Sequence, residues 1–220
     1  MAEKGYKGQG MDGFFARFYD KNARENIMDQ YRIWVKALKE IIPQNADLLE
    51  VAPGPGYLAI ELAKAGIGNI TGMDISGTFV DIAKRNALEA GVDIRFIQGN
   101  ASQMPFENGE FTHVICTSAF KNFNDPRNAL NEMHRILAPG GIVWLSDMRK
   151  DTSNRDIDDY VRHMMKLKGI NGLITSLTFK YMLRNRAYTK ESFLELVSKT
   201  PFTIRSFVQK EMEFQVILVK

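Results

Sequence analysis

Glu50, Gly54, Gly56 and Asp74 have the residue types and spacing that first suggest chemistry in this chain. Residues 48–63, Leu-Leu-Glu-Val-Ala-Pro-Gly-Pro-Gly-Tyr-Leu-Ala-Ile-Glu-Leu-Ala, read as an apolar strand with an acid, a tight loop and a helix start. Such a loop sets free backbone N–H groups and the positive end of a helix dipole beside a ligand. Glycine lets the backbone approach closely and take positive φ, and Pro53 and Pro55 stiffen the loop. Asp74 closes the next apolar run, 18 residues after Gly56. A carboxylate there can accept hydrogen bonds from both hydroxyls of a ribose. Gly54, Gly56 and Ala59 also match G-x-G-x-x-A. These residues alone leave two adenosine cofactors open, a nicotinamide dinucleotide and S-adenosylmethionine (SAM).

Three further features favour SAM. Glu50 and roughly 45 residues of mostly helical pattern come before the loop, whereas a dinucleotide fold more often opens on its first strand. A third strand, residues 94–98, leads to polar Asn100 and then to an apolar clamp, Met104-Pro-Phe106. A fourth strand, residues 111–118, is followed by a helix, by Leu137-Ala-Pro-Gly-Gly141 and by a fifth strand, residues 142–146. Taken in order, Glu50-Val-Ala-Pro-Gly-Pro-Gly56, Gly72-Met-Asp-Ile-Ser76, Gly99-Asn-Ala-Ser-Gln-Met-Pro-Phe106 and Leu137-Ala-Pro-Gly-Gly141 resemble the class I SAM-dependent methyltransferases. The motifs are nearest to the ubiquinone/menaquinone C-methyltransferase group (methyltransferase type 11). The resemblance covers about residues 12–150 well and the rest in outline.

The resemblance implies an α/β, Rossmann-like fold. It has a seven-stranded, mostly parallel sheet with an antiparallel last strand, an N-terminal helical lid and a helical insertion after strand five. It also implies SAM as cofactor, held by Tyr19, Glu50, Ala52, Gly54, Gly56, Asp74, Ile75, Asn100, Ala101 and Thr117. Tyr19 lies in Ala16-Arg-Phe-Tyr-Asp20, similar to an element whose tyrosine leans over the cofactor in relatives; an amphipathic helix covering the sheet is the other reading. The chain departs from the family pattern at three positions. Ala52 replaces the first loop glycine, Glu50 the usual aspartate, and Asn100 another aspartate whose acceptor role toward the adenine amino group an amide oxygen can keep.

Methyl transfer from a sulfonium donor is an in-line displacement. The protein mainly aligns the acceptor, and alignment supplies roughly 7–11 kcal/mol of barrier reduction. A general base is needed only when the nucleophilic atom carries a proton. The stretch after strand four, residues 117–126, stands where an acceptor must approach. It resembles the quinone enzymes' segment with a basic residue, Asn and Asp, so Ser118, Lys121 and Asn122 are acceptor-side candidates. Asn122 and Asp125 read equally as helix caps before Pro126. His113 and His134 read as structural. His163 and Asp147 are the candidate bases. No metal is expected, because Thr117-Ser118 stands where metal-dependent catechol-type relatives carry a carboxylate after strand four, and Asp147-Met148 where they carry an Asp-Asn pair after strand five. An N-P-P-Y-type signature is absent, which argues against a base-flipping enzyme.

The elements that must position these groups fit within one domain, residues 1–220. It divides into a helical lid (1–45), a cofactor core (46–150), a helical substrate cover (151–188) and a C-terminal helix with two strands (189–220). The cover carries Met164, Met165 and many aliphatic residues, interrupted by Gly169 and Gly172. Its apolar helices suit a pocket for an apolar or aromatic small molecule, packing on the core, or a homodimer contact. The basic run Lys180, Arg184, Arg186 suits a membrane surface, an acidic substrate or plain solvation. The glycine- and lysine-rich first ten residues are expected to be mobile. Charged residues are 25% of the chain, hydrophobic ones 45%, and the formal charge is +3, too small and dispersed for a nucleic-acid partner. No apolar run reaches the roughly 18 residues of a membrane span, and no signal core opens the chain. With Cys116 as the single cysteine, a small core residue, a reducing cytoplasm is expected. Two other functions stay open: a SAM-binding fold relative in a cyclase-like or carrier role, and a nicotinamide oxidoreductase.

Overall fold

A computed structural model describes residues 5–7 and 11–220, the side chain of Phe15 apart. The expected mobility of residues 1–4 and 8–10 lies outside the described residues. The chain runs α1 (Gly13–Asn26), α2 (Met28–Lys39), β1 (Asp47–Val51), α3 (Tyr57–Lys64), β2 (Asn69–Asp74), α4 (Gly77–Ala90), β3 (Arg95–Gln98) and β4 (Phe111–Thr117). A 3-10 turn, Phe120–Asn122, precedes α5 (Pro126–Ile136) and β5 (Leu137–Met148). Then α6 (Asn154–Asp159) runs into π-helical Tyr160–Met164, and α7 (Gly169–Thr178) into π-helical Phe179–Leu183 and α8 (Arg184–Arg186). Helix α9 (Lys190–Val197), β6 (Thr203–Gln209) and β7 (Glu213–Val219) complete the fold.

The seven strands form one sheet in the order β3-β2-β1-β4-β5-β7-β6, with β7 antiparallel to both of its neighbours. Strands β1 to β5 pair in parallel. Their interior residues are buried by helices on both faces, which is why β1 and β4 read as nearly continuous apolar runs. One apolar layer packs Leu38, Leu58, Leu62, Trp34 and Trp144 beneath α2 and α3; the other packs Phe120, Leu130, Met133, Phe193 and Phe214 around α5 and α9. Each such side chain contributes roughly 1.5–3 kcal/mol of burial.

The strand order reverses between β1 and β4. β1 is followed by β2 and β3 on one side, β4 and β5 on the other, so a crevice opens at the carboxyl ends of β1 and β4. Register sets which residues reach it: Val51 lies beside both Met73 and Cys116, and Thr117 beside Ser146.

Several boundaries differ from the expectation. The N-terminal helical pattern splits at Ile27 into α1 and α2. β5 begins at Leu137, because Leu137 pairs with Phe111 and a register shift absorbs Pro139-Gly-Gly141. Of the two glycines in the cover, Gly169 has φ +58 and starts α7, whereas Gly172 lies inside the helix. A Cβ on Gly172 would meet the Leu167 carbonyl oxygen at 2.9 Å, so glycine there permits close packing rather than a break.

Candidate active site

The glycine loop crosses the carboxyl end of β1 on positive-φ residues, Ala52 (58°), Gly54 (56°) and Gly56 (80°). At Gly56 a Cβ would also stand 2.9 Å from the Phe96 ring and 3.0 Å from the Ala83 methyl, so both conformation and space demand glycine. Ala52 takes a left-handed conformation that costs a non-glycine residue about 1–2 kcal/mol. Its N–H donates to the Met73 carbonyl at 2.8 Å, tying the loop to β2.

Asp74 closes β2 beneath this loop. The Gly54 N–H donates to its Oδ2 at 3.0 Å and the Ser76 N–H to its Oδ1 at 2.9 Å. Each carboxylate oxygen keeps a lone pair. Burial pushes the Asp74 carboxyl up to about 6 despite the backbone donors. Glu50 is more deeply set, at 1% exposure, and its Oε2 has no hydrogen-bond partner. Burial pushes it up to about 8; the Ala59 N–H opposes the rise and the Asp74 charge adds to it. A buried carboxylate oxygen without a donor costs several kcal/mol unless a ligand satisfies it or the group keeps its proton.

These groups line a cavity of about 480 Å³. Tyr19, Glu50, Ala52, Gly54, Asp74, Ile75, Ala101 and Thr117 line it, and Ser118, Lys121 and Asn122 form the wall beyond β4. Tyr19 meets Phe79 edge-on, with ring centroids 5.9 Å apart. Gly56 lies just outside the wall as the residue preceding α3. Asn100 also falls outside the wall: its Oδ1 accepts from the Ser102 N–H at 3.0 Å and closes a turn, leaving Gly99 and Ala101 to face the cavity.

Neither candidate base lines the cavity. Asp147 is 1% exposed and paired with Lys121, and its oxygens accept from the backbone N–H groups of Lys121 and Met148, both at 2.7 Å. It fastens the 3-10 turn to β5. His163 is exposed, with Nδ1 3.1 Å from the Asp159 carbonyl oxygen, and is not part of the cavity wall. Ile157, Val161 and Met165 are buried at spacings of four, which leaves Arg162 and His163 on the outward face. Ser118 has φ +55, and its N–H donates to the Ser146 carbonyl at 2.8 Å, a strained position of the kind that marks functional turns. Asp125 is a helix cap, accepting from the Asn128 N–H at 3.1 Å.

The cover is built from three parts. Helix α1 is pinned by polar contacts: Asp12 accepts from the Ser76 hydroxyl at 2.9 Å, and Asp20 from the Tyr57 hydroxyl at 2.7 Å. The second part is the stretch from α6 to α8, which supplies Tyr160, Ile174 and Phe179. The third part had no signal in the sequence pattern. Residues 5–7 lie along the 3-10 turn: Tyr6 bridges to Phe123, the Lys7 N–H donates to the Asn122 carbonyl at 2.8 Å, and Tyr6 enters the cavity wall. Among the described residues no group of three or more His, Cys, Asp or Glu side chains is placed to hold a metal. No helix among them is long and apolar enough to cross a membrane.

Comparison with known proteins bears on the fold and on its relatives. Residues 49–145 match the family model of the methyltransferase domain. A demethylmenaquinone methyltransferase of Thermus thermophilus is 38% identical over 95 residues, 43% of this chain and 43% of that protein. A ubiquinone/menaquinone biosynthesis C-methyltransferase of Bdellovibrio bacteriovorus is 29% identical over 192 residues, 83% of this chain and 81% of that one. The match thus spans under half the length of the Thermus relative and about four-fifths of the Bdellovibrio one. A SAM-dependent methyltransferase from Aquifex aeolicus has the same fold, with a TM-score of 0.69 at 15% identity over 93% of this chain and 96% of the other.

Proposed function

We propose that this chain, which belongs to the class I SAM-dependent methyltransferase family, transfers the methyl group of SAM to a small apolar or aromatic acceptor. The observation that carries the reading is the pairing of Glu50 and Asp74 in one cavity, one buried acceptor unsatisfied and the other with lone pairs to spare. Asp74 would hold the ribose hydroxyls, Glu50 the cationic amino group, and the Ala52–Gly54 backbone would approach closely because positive φ keeps side chains out of the way.

When bound, SAM supplies an activated methyl whose bond to sulfur breaks with the electron pair leaving on sulfur. The chain orients the acceptor and excludes water. Ser118, Lys121 and Asn122 bound the acceptor side of the cavity, and Tyr6, Tyr160 and Phe179 cover it. Aromatic and aliphatic walls with few polar groups favour a ring-bearing acceptor. The names of the relatives make a demethylated quinol the first acceptor to try. With neither Asp147 nor His163 in the cavity wall, the reading favours an acceptor that ionises readily or loses its proton to water.

The test is calorimetric titration with SAM and, in parallel, NAD, followed by mass detection of methylated product and S-adenosylhomocysteine with a panel of demethylated naphthoquinols. Asp74→Ala should lose roughly ten- to a hundredfold in SAM affinity, the value of charged hydrogen bonds worth about 1.5–3 kcal/mol. Unchanged affinity, or binding of NAD in place of SAM, would sink the reading.

A further inference from the structure

An apolar stripe on α7 and the turn after it is left exposed. Ile170, Leu173, Ile174, Leu177 and Tyr181 recur at spacings of three and four and so share one face. They are 43–74% exposed. On α1, Phe18 is 59% exposed and stacks on Phe14 with centroids 6.4 Å apart. Phe18 and Ile174 both line the cavity, so the aromatic pair and the stripe border the same opening. Single exposed apolar residues are ordinary, but a contiguous set marks an interaction surface.

Charge selects the partner. Residues 160–190 contain seven Lys or Arg and no Asp or Glu. Lys166 and Lys180 are paired, with Asp29 and Asp158, and Arg162 also acts on Asp158, while Lys168, the residue preceding α7, stands exposed at the stripe's N-terminal end. Apolar side chains on a segment with an excess of cations, Lys168 among them unpaired with any carboxylate of the described residues, are the chemistry of a helix lying in an anionic lipid interface. A second copy of the chain fits less well, since a two-fold contact through this face would set like charges against each other.

We propose that this face docks reversibly on an anionic bilayer, with the α7 stripe in the headgroup region and the cavity opening toward the membrane. The docking does not depend on the methyl-transfer reading, and its test needs no acceptor. The full chain is sedimented with vesicles of phosphatidylcholine alone and of phosphatidylcholine with phosphatidylglycerol. The chain should bind the mixed vesicles more strongly, and binding should fall as salt rises. Lys168→Ala should weaken it about fivefold, as loss of one interfacial cation does. The double variant Ile170→Glu/Leu173→Glu touches no residue of the cavity wall; it should lose vesicle binding while keeping the wild-type circular dichroism and SAM affinity. Failure of the wild-type chain to bind mixed vesicles overturns the proposal. So does equal binding by the double variant. A dimeric wild type, a monomeric double variant and no vesicle binding by either would assign the stripe to self-association instead.

Discussion

The Lys121 ammonium lies 2.8 Å from Asp147 Oδ1, and both side chains are almost wholly buried, at 4% and 1% exposure. The Lys121 ammonium also donates to the Ser118 carbonyl oxygen, so one buried cation links the acceptor-side turn to β5. A pair of this kind adds little net stability over an apolar pair of the same shape, but losing one member strands a charge. Asp147→Ala should therefore destabilise the fold by about 3–5 kcal/mol. Lys121→Met/Asp147→Leu should recover in urea unfolding the part due to the stranded ammonium, while the Lys121 and Met148 N–H groups remain without their acceptor. A single Asp147→Ala variant as stable as wild type would show that the pair is not the fastening the geometry describes.

Glu50 couples stability to pH. Its carboxyl titrates near 8 in the fold, against an ordinary 4.5. Between these values the unfolded chain has released the proton while the folded chain keeps it, so stability is lost as pH rises from about 4.5 to 8. Glu50→Gln removes that dependence. In the cofactor-free protein the stability of the variant relative to wild type should rise by on the order of 3 kcal/mol from pH 5 to pH 8. Thermal unfolding across that range checks it; a difference that stays flat with pH would mean Glu50 is ionised in the fold. Binding of SAM at pH 7 should release a proton, visible as a buffer-dependent enthalpy.

Ala52 occupies a backbone position that favours glycine, with φ +58. Ala52→Gly relieves the left-handed strain and gives back part of the gain as unfolded-chain entropy. The net effect should be about 1 kcal/mol of added stability, read as a higher unfolding midpoint at unchanged denaturant slope. A lower midpoint would show that the alanine methyl packs usefully against its surroundings.

The elements that carry the glycine loop and Asp74 were legible because their signals are local. A strand, an acid, two glycines and a second strand ending in Asp74 lie within a short stretch, and parallel pairing in register brings their ends together. The C-terminal strands were legible for the same reason, with Thr189 capping α9 and alternation marking β6 and β7. What the sequence did not show was non-local. His163 stands outward because Ile157, Val161 and Met165 take the buried face, and Asp147 is held by Lys121 across the crevice. Tyr6 carried no pattern, since what holds it is a bridge to Phe123 on a distant turn.

That bridge yields the last prediction. Residues 5–7 lie so close to Ile75 and to the turn after β3 that a Cβ on Gly5 would stand 2.7 Å from both Asn100 Oδ1 and Ile75 Cδ1. The Ile75 side-chain end can shift, but Asn100 Oδ1 is held by the Ser102 N–H and cannot swing away without losing that bond. Gly5→Val should lift the strap, break the hydrogen bonds from the Lys7 N–H to Asn122 and from the Asn124 N–H to Gly5, and withdraw Tyr6 from the cavity wall. Two such bonds at about 1 kcal/mol each correspond to a roughly tenfold or greater loss of SAM affinity if the strap holds the cofactor in place. The strap contributes none of the main core, so the unfolding midpoint should fall only by what the two lost hydrogen bonds contribute, about 1 kcal/mol each. Stopped-flow measurement should place most of the loss in faster cofactor release, because an opened wall lets the ligand leave without altering the groups that capture it. Tighter binding by Gly5→Val would reverse the assignment and make residues 5–7 a competitor for the cofactor's space rather than its cover.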